Sequence, residues 1–255
     1  WIHCPGTGVD QLTQIPELIQ SDVTLTNSRG PHAPPMADHV IGMMINLAHM
    51  WKSHFEDQGN HQWNTSTYED KFTQIEGTTM GILSMGDIGT AVAKRAQGFG
   101  IEIYGVDKFP KPSPFTKVVW GIDKLDDLIK ISDWFVVTAP LTADTKGIID
   151  KRRIGLLKDG AHIIIISRGH IVDEDALLEE LVSGRLGGAG IDAFAQEPLP
   201  KDSPFWDLNN IVISPHSSAY TAELVEGRRA IFKENLRRYL AGEPFLYIVD
   251  KKAGF

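Results

Sequence analysis

The stretch GILSMGDIGTAVAKRAQGFGIEIYGVD, residues 81–107, decides the fold. It reads as an apolar strand over 79–83, a glycine turn, a helix over 88–99 stopped by Gly100, a second strand over 101–106 and an acid, Asp107. In such a unit the turn lets backbone approach a pyrophosphate. The helix N-terminus then offers free N–H groups and a partial positive charge. Gly86 and Gly89 fill the second and third glycine positions of a G-x-G-x-x-G turn, and Ser84 stands at the first. Asp107 follows at about 20 residues, the spacing at which a carboxylate meets adenosine ribose hydroxyls and repels an added phosphate. A dinucleotide would therefore lie against Ser84, Met85, Gly86, Asp87, Ile88, Gly89 and Asp107, with NAD favoured over NADP. Lys108, directly after the acid, softens that preference. A tight strand–helix turn with no nucleotide is the alternative.

The pattern repeats downstream. Strands are expected at 134–138, 162–167, 187–193 and 211–214, with helices at 125–131, 151–157, 173–183 and 221–240. The run 162–167 is almost wholly apolar, as a central parallel strand covered on both faces requires. Alternating strands and helices of this length predict an α/β fold built on a doubly wound parallel sheet. Upstream, 23–26 reads as a short strand and 36 to about 55 as one amphipathic helix opened by Pro34 and Pro35. The segment WIHCPGTGVD, residues 1–10, reads as loop, and so does the polar run 59–66.

Composition excludes several classes. The 255 residues are 42% hydrophobic, enough for a substantial core. The net charge is −8 with no basic block, which argues against nucleic acid as a partner. No apolar run approaches the roughly 20 residues a membrane span needs. One cysteine, Cys4, allows no intrachain disulfide and fits a reducing, cytoplasmic setting. The nine histidines show no metal-ligand spacing, so no metal is expected.

Three polar residues fall where strands end, the edge at which ligands sit in such sheets. Arg168 follows IIIIS, Glu197 follows GAGIDAFAQ and His216 follows IVISP. Arg presents a planar fork that matches a carboxylate. His gives and takes a proton near neutral pH. A carboxylate beside an imidazole orients it and favours its protonated form. Singly, each reads as a surface partner, a turn cap or a loop residue; only their combination beside a nucleotide site points to chemistry.

The runs IIIISRGHIVDEDAL, GAGIDAFAQEPLP and IVISPHSSAYT resemble the signature segments of the NAD-dependent D-isomer-specific 2-hydroxyacid dehydrogenases. GILSMGDIG and VVTAPLTADTKGIID are similar to that family's cofactor turn and its strand–loop. The resemblance implies hydride transfer between NAD(H) and a 2-keto acid or D-2-hydroxy acid. It makes Arg168 the carboxylate-binding residue, His216 the general acid and base, and Glu197 the holder of His216. Thr138, Ala139, Pro140, Thr145, Ser167, Arg168, Asp192 and His216 would line the cofactor cleft, with Asp192 near the nicotinamide carboxamide. Thr7, Gly8 and Val9 would clamp the substrate carboxylate through backbone N–H groups. Residues 31–217 would form the Rossmann-like cofactor domain. Residues 1–30 would be a remnant of a flavodoxin-like substrate domain, rejoined by 218–255, with the family's longer N-terminal segment missing. The Met-rich helix 36–55 would form a homodimer interface. Trp1 and Tyr220 would pack in the core or flank a bulkier substrate. Ser84, Asp87 and His170 depart from the family pattern. A catalytically weak or inactive NAD(H)-binding module, a corepressor-like sensor or a truncated dehydrogenase, is the competing reading.

Overall fold

The computed structural model describes residues 1–255. Strand β1 (Ile2–Cys4) leads through a loop and the short helix α1 (Pro16–Gln20) to β2 (Leu25–Asn27). Helices α2 (Ala33–Ala48) and α3 (Trp51–Gly59) follow, then β3 (Thr79–Leu83), α4 (Asp87–Ala96), β4 (Glu102–Val106) and β5 (Val118–Trp120). The rest alternates through α5 (Leu125–Ile131), β6 (Trp134–Val137), α6 (Lys151–Ile154), β7 (His162–Ile165), α7 (Glu174–Val182), β8 (Gly188–Ile191), β9 (Ile211–Ile213) and α8 (Ala222–Ala241).

Seven strands form one parallel sheet in the order β5-β4-β3-β6-β7-β8-β9. The order reverses between β3 and β6. That reversal opens a crevice beyond their carboxyl ends. Strands β6, β7 and β8 are buried at every residue, the burial expected of a parallel sheet with helices on both faces. One core layer joins β6, β7 and β8 to α5, α6 and α7, through Phe135, Ile163, Ile165 and Leu177. The opposite layer sets Val40, Met43 and Met44 of α2 and Val92 and Ala93 of α4 against Met80, Ile82 and Val136.

A second, two-stranded parallel sheet pairs β1 with β2. The C-terminal tail returns to it: Asn27 and Val249 exchange backbone hydrogen bonds with Tyr247 and Leu25. Lys251 Nζ donates to the carbonyls of Leu18, Ser21 and Val23. This small unit has a core of only Val9, Leu25 and Val249. The two-stranded sheet and the tail thus pair through backbone hydrogen bonds.

Several readings of the sequence change. Residues 2–4 form a strand where a loop is expected, because three paired residues carry no periodic signal. Strand β5 is likewise short and was not expected. The expected helix 36–55 is two helices, broken where Met50 adopts a left-handed conformation with φ 51°. Neither Gly nor Pro marks that break, so nothing local announces it. Helix α6 ends at Ile154, short of the expected 157. The helix stops at Gly100 and Gly242 lie where expected, with φ 70° and 68°. Trp1 stacks on Phe245 and Phe232 and donates from Nε1 to Thr26, a packing role. Tyr220 is 73% exposed and belongs to no core.

Candidate active site

Outside the N-terminal segment, the candidate residues lie on the loops that follow the carboxyl ends of strands of the large sheet. Ser84 follows β3, Asp107 follows β4, Thr138 follows β6, Arg168 follows β7, Asp192 follows β8 and His216 follows β9. A parallel sheet does this automatically: every strand runs the same way, so every strand–helix loop opens on one edge.

The glycine turn is built for close approach. A Cβ on Gly89 would collide with the Ser84 carbonyl, so α4 can pack on β3 only with glycine there. Gly86 has open space around it, leaving its backbone accessible to a ligand. Ser84 adopts φ 78°, the left-handed conformation that glycine tolerates best. Its hydroxyl lies 3.3 Å from Asp107 Oδ2, the same oxygen that accepts the Met85 N–H at 2.7 Å. Asp107 Oδ1 accepts the Phe109 N–H at 2.8 Å. The acid at the end of β4 therefore ties the turn together and still has an unused lone pair beside the crevice. Thr138 lies beneath the turn and donates to the carbonyls of Leu83 and Ser84. Asp87 opens α4 with an exposed side chain, where its charge suits the helix N-terminus. Met85 packs over Gly105. Lys108 pairs with Asp144 at 2.7 Å, which holds its ammonium across the mouth of the crevice. Thr145 donates to the Pro140 carbonyl and receives the Thr142 N–H, shaping the loop after β6. Ala139 is buried under that loop.

His216 and Glu197 meet directly. The carboxylate Oε2 lies 2.8 Å from His216 Nδ1, and Oε1 accepts the Phe194 N–H. With Nδ1 donating to Glu197, Nε2 is the nitrogen left for a substrate. His216 itself has φ 51° and donates its N–H to the Asp192 carbonyl. Arg168 makes no hydrogen bond to either residue. Its loop is nonetheless fixed against theirs, since a Cβ on Gly169 would strike the backbone of Phe194 and Ala195. The Arg168 guanidinium donates to the Ser167 carbonyl and, through Nε, to Asp10 Oδ1 at 3.2 Å; Nη2 lies 3.1 Å from the same oxygen. Three of five donors are engaged, leaving two for an anion. Gly8 is pressed so close that a Cβ there would collide with Nη2, which brings the Thr7–Gly8 loop to the arginine.

Two features escaped the sequence reading. Asp10, the next residue after the expected Thr7–Gly8–Val9 clamp, is the partner of Arg168. Asp192, read as a cofactor contact, has its carboxylate engaged by Ser214 Oγ and the N–H groups of Ser217 and Ser218, and is only 1% exposed. Its first job here is to hold the His216 turn. His170 makes no side-chain hydrogen bond. No cluster of three metal-binding side chains exists.

The residues present fit a nicotinamide dinucleotide. The turn needs Gly89, the Gly86 backbone is open, and an acid terminates the second strand. The hydroxyls of Ser167, at the crevice, and Thr7 are buried without a partner, as donors waiting for a ligand would be.

The family described as D-isomer specific 2-hydroxyacid dehydrogenase, NAD binding domain, matches residues 41–218. The chain is 31% identical to D-3-phosphoglycerate dehydrogenase of Methanocaldococcus jannaschii over 239 residues, 93% of this chain and 45% of that protein. It is 35% identical to hydroxypyruvate reductase of Thermotoga maritima over 237 residues, 90% of this chain and 75% of that one. The chain thus spans less than half the first relative's length and three quarters of the second's. Among solved structures it is similar to a D-isomer specific 2-hydroxyacid dehydrogenase of Xanthobacter autotrophicus in complex with NADPH and MES. That likeness has a TM-score of 0.86 at 30% identity, covering 100% of this chain and 79% of the other. An NADPH-dependent glyoxylate/hydroxypyruvate reductase of Sinorhizobium meliloti, in complex with NADP and sulfate, gives 0.88 at 26%, covering 100% and 80%. With its glycine turn, its strand-end acid and its paired His216 and Glu197 on a parallel sheet, the chain belongs to the D-isomer specific 2-hydroxyacid dehydrogenase family.

Proposed function

We propose that this chain interconverts a small 2-keto acid and its D-2-hydroxy acid, with NAD(H) as the redox partner. The observation that carries the reading is the 2.8 Å contact between His216 Nδ1 and Glu197 at the same sheet edge as Arg168. The two free guanidinium donors of Arg168 suit the substrate carboxylate, and the Thr7–Gly8 loop beside them offers backbone N–H groups. In the reducing direction His216 donates the proton from Nε2 to the keto oxygen; in the oxidising direction it removes the hydroxyl proton. Glu197 keeps the ring oriented through both. A nicotinamide dinucleotide, when bound along the glycine turn, supplies the hydride chemistry that no side chain here offers.

Asp107 favours NAD, because its free lone pair accepts from a ribose hydroxyl and its charge opposes a phosphate in that place. The NADPH and NADP in the Xanthobacter and Sinorhizobium structures make the comparison of the two cofactors part of the test. For the substrate, the named activities of the Thermotoga and Sinorhizobium proteins favour hydroxypyruvate and glyoxylate.

We also propose a homodimer, on changed grounds. Met36, Met43 and Met44 are buried within their own subunit, packed against α4 and the sheet, so they supply no interface. Exposed apolar side chains at the end of the 36–55 segment and just after it, Trp51, Phe55, Trp63 and Phe72, offer a surface for it instead. No helix is long and apolar enough to cross a membrane.

The test follows absorbance of NADH, then NADPH, with glyoxylate, hydroxypyruvate, pyruvate and phenylpyruvate, and assigns the product's configuration by chiral chromatography. Turnover faster with NADH, on glyoxylate and hydroxypyruvate, with D-glycerate as the product of hydroxypyruvate, supports the reading. Tight NADH binding without turnover on any of them favours the sensor or truncated-enzyme reading instead.

A further inference from the structure

The turn that carries His216 is braced from the far side of the sheet edge by α2. His39, on that helix, places Nε2 at 2.8 Å from Ser214 Oγ. Ser214 Oγ in turn lies 2.6 Å from Asp192 Oδ1. A hydroxyl has one proton, and the short contact to a carboxylate takes it. Ser214 must therefore accept from His39, and the direction of the relay is fixed: His39 Nε2–H to Ser214 O–H to Asp192.

Asp192 stands at the centre of the catalytic turn. Its carboxylate receives the N–H groups of Ser217 and Ser218, and its carbonyl receives the His216 N–H. All three donors to the carboxylate are neutral, and no Lys, Arg or His forms an ion pair with it. A carboxylate 1% exposed with no counter-ion depends wholly on its hydrogen bonds. A donor behind Ser214 polarises that hydroxyl and strengthens its bond to the acid. His216 also needs an outside constraint, because φ 51° is a conformation that a non-glycine residue leaves if released.

We propose that His39 is a positioning residue for His216, acting through Ser214 and Asp192. Its effect is to fix the turn from which His216 reaches the keto oxygen, so the inference rests on the proposed reaction for its kinetic consequence but not for its structural one. The sequence offers no hint of it, since His39 and Ser214 are 175 residues apart in the chain.

The test uses the full chain with His39→Ala, His39→Gln, Ser214→Ala and the His39→Ala/Ser214→Ala pair. The imidazole signal of His216, assigned with His216→Asn, is followed by NMR in each, with exposed His170 as the reference. Steady-state kinetics and NADH binding by fluorescence run in parallel. The expected result is a shifted or broadened His216 signal in His39→Ala with His170 unchanged. The kcat should fall about tenfold, the scale of one hydrogen bond in a charged network. NADH affinity stays within about twofold. His39→Gln, which keeps an N–H donor, restores most of both, and the double variant is no worse than Ser214→Ala alone. The proposal is overturned if the His216 signal is unmoved in His39→Ala, if Gln fails to rescue, or if the two substitutions add. Absence of turnover in the unaltered chain would sink the proposed reaction instead, and the NMR comparison would still decide the role of His39.

Discussion

The turn at Ser84 and the turn at His216 are built on one plan and do different work. Each has a non-glycine residue at positive φ, 78° and 51°. Each is anchored by a carboxylate at the end of the neighbouring strand, Asp107 on β4 beside β3 and Asp192 on β8 beside β9. Each acid accepts a serine hydroxyl and two backbone N–H groups. The difference is burial. Asp192 is sealed, while Asp107 is half-exposed at the crevice. A sealed carboxylate acts on geometry alone; a half-exposed one shapes its turn and keeps a face open to a ligand. On the proposed reaction, the same local device yields a rigid mount for the proton donor at one end of the cleft and a ligand contact at the other.

The strongest way to break the comparison is to neutralise each acid in turn. Asp192→Asn puts an amide among three donors and leaves at least one buried N–H or O–H unpaired, at a cost of about 1–3 kcal/mol. With the His216 turn loosened, kcat should fall about 100-fold and the melting temperature should drop; stopped-flow NADH oxidation and calorimetry measure the two. Asp107→Asn should separate them differently. NADH affinity weakens about tenfold, kcat at saturating NADH stays within about twofold, and discrimination against NADPH narrows. If the two variants behaved alike, burial would not be what distinguishes the turns.

Two buried histidines that lie outside both turns, His32 and His162, give the fold an acid sensitivity of their own. His32 is driven down to about 4, first by burial and then by Arg228, against an opposing pull from its bond to the Ser28 carbonyl. That geometry demands a neutral ring: one nitrogen lies 3.0 Å from the Ser28 oxygen and the other 2.7 Å from Arg228 Nη2. Burial alone holds His162, stacked on Trp134, down to about 4. In the unfolded chain both titrate near 6.5. Between pH 6.5 and about 4 the unfolded state therefore binds more protons, and stability present above pH 6.5 is lost on acidification through that window. Urea denaturation at stepped pH should show that slope smaller by about one proton in His162→Phe, which keeps the stack.

The smallest effect sharpens the glycine side of the comparison. Ser84→Gly relieves a left-handed serine and removes only a long hydroxyl contact to Asp107, so it should stabilise the chain by about 0.5–1 kcal/mol. A melting temperature higher by about 1–4 °C, with NADH affinity unchanged or tighter, is the expected readout. A lower melting temperature would show that the Ser84 hydroxyl holds the turn more firmly than its 3.3 Å contact implies.

What the sequence revealed follows from where each constraint acts. The dinucleotide turn is legible because Gly89, Gly86 and Asp107 answer to local sterics within one strand–helix–strand unit. The alternating apolar runs fix the large sheet for the same reason. Arg168, Glu197 and His216 are legible as residue types at strand ends. Their fixed relation is not, because it depends on Gly169 accommodating the 194–195 backbone. The partners of Asp192 are not legible: the serines around His216 read as a turn, and nothing in SPHSS says which acid they bind. Asp10 and His39 act across the fold, and no spacing in the chain records them. The break at Met50 and the strands β1 and β5 are too short, or too unmarked, to leave a periodic trace.

The central claim is that His216, held by Glu197, moves the proton of a 2-keto acid reduction. NADH consumption with hydroxypyruvate, measured side by side for the unaltered chain and His216→Ala at equal NADH occupancy, tests it most directly. Turnover is expected in the first and a loss of about 100- to 10,000-fold in kcat in the second, the range assigned to a general acid. Turnover that survives the substitution would contradict it.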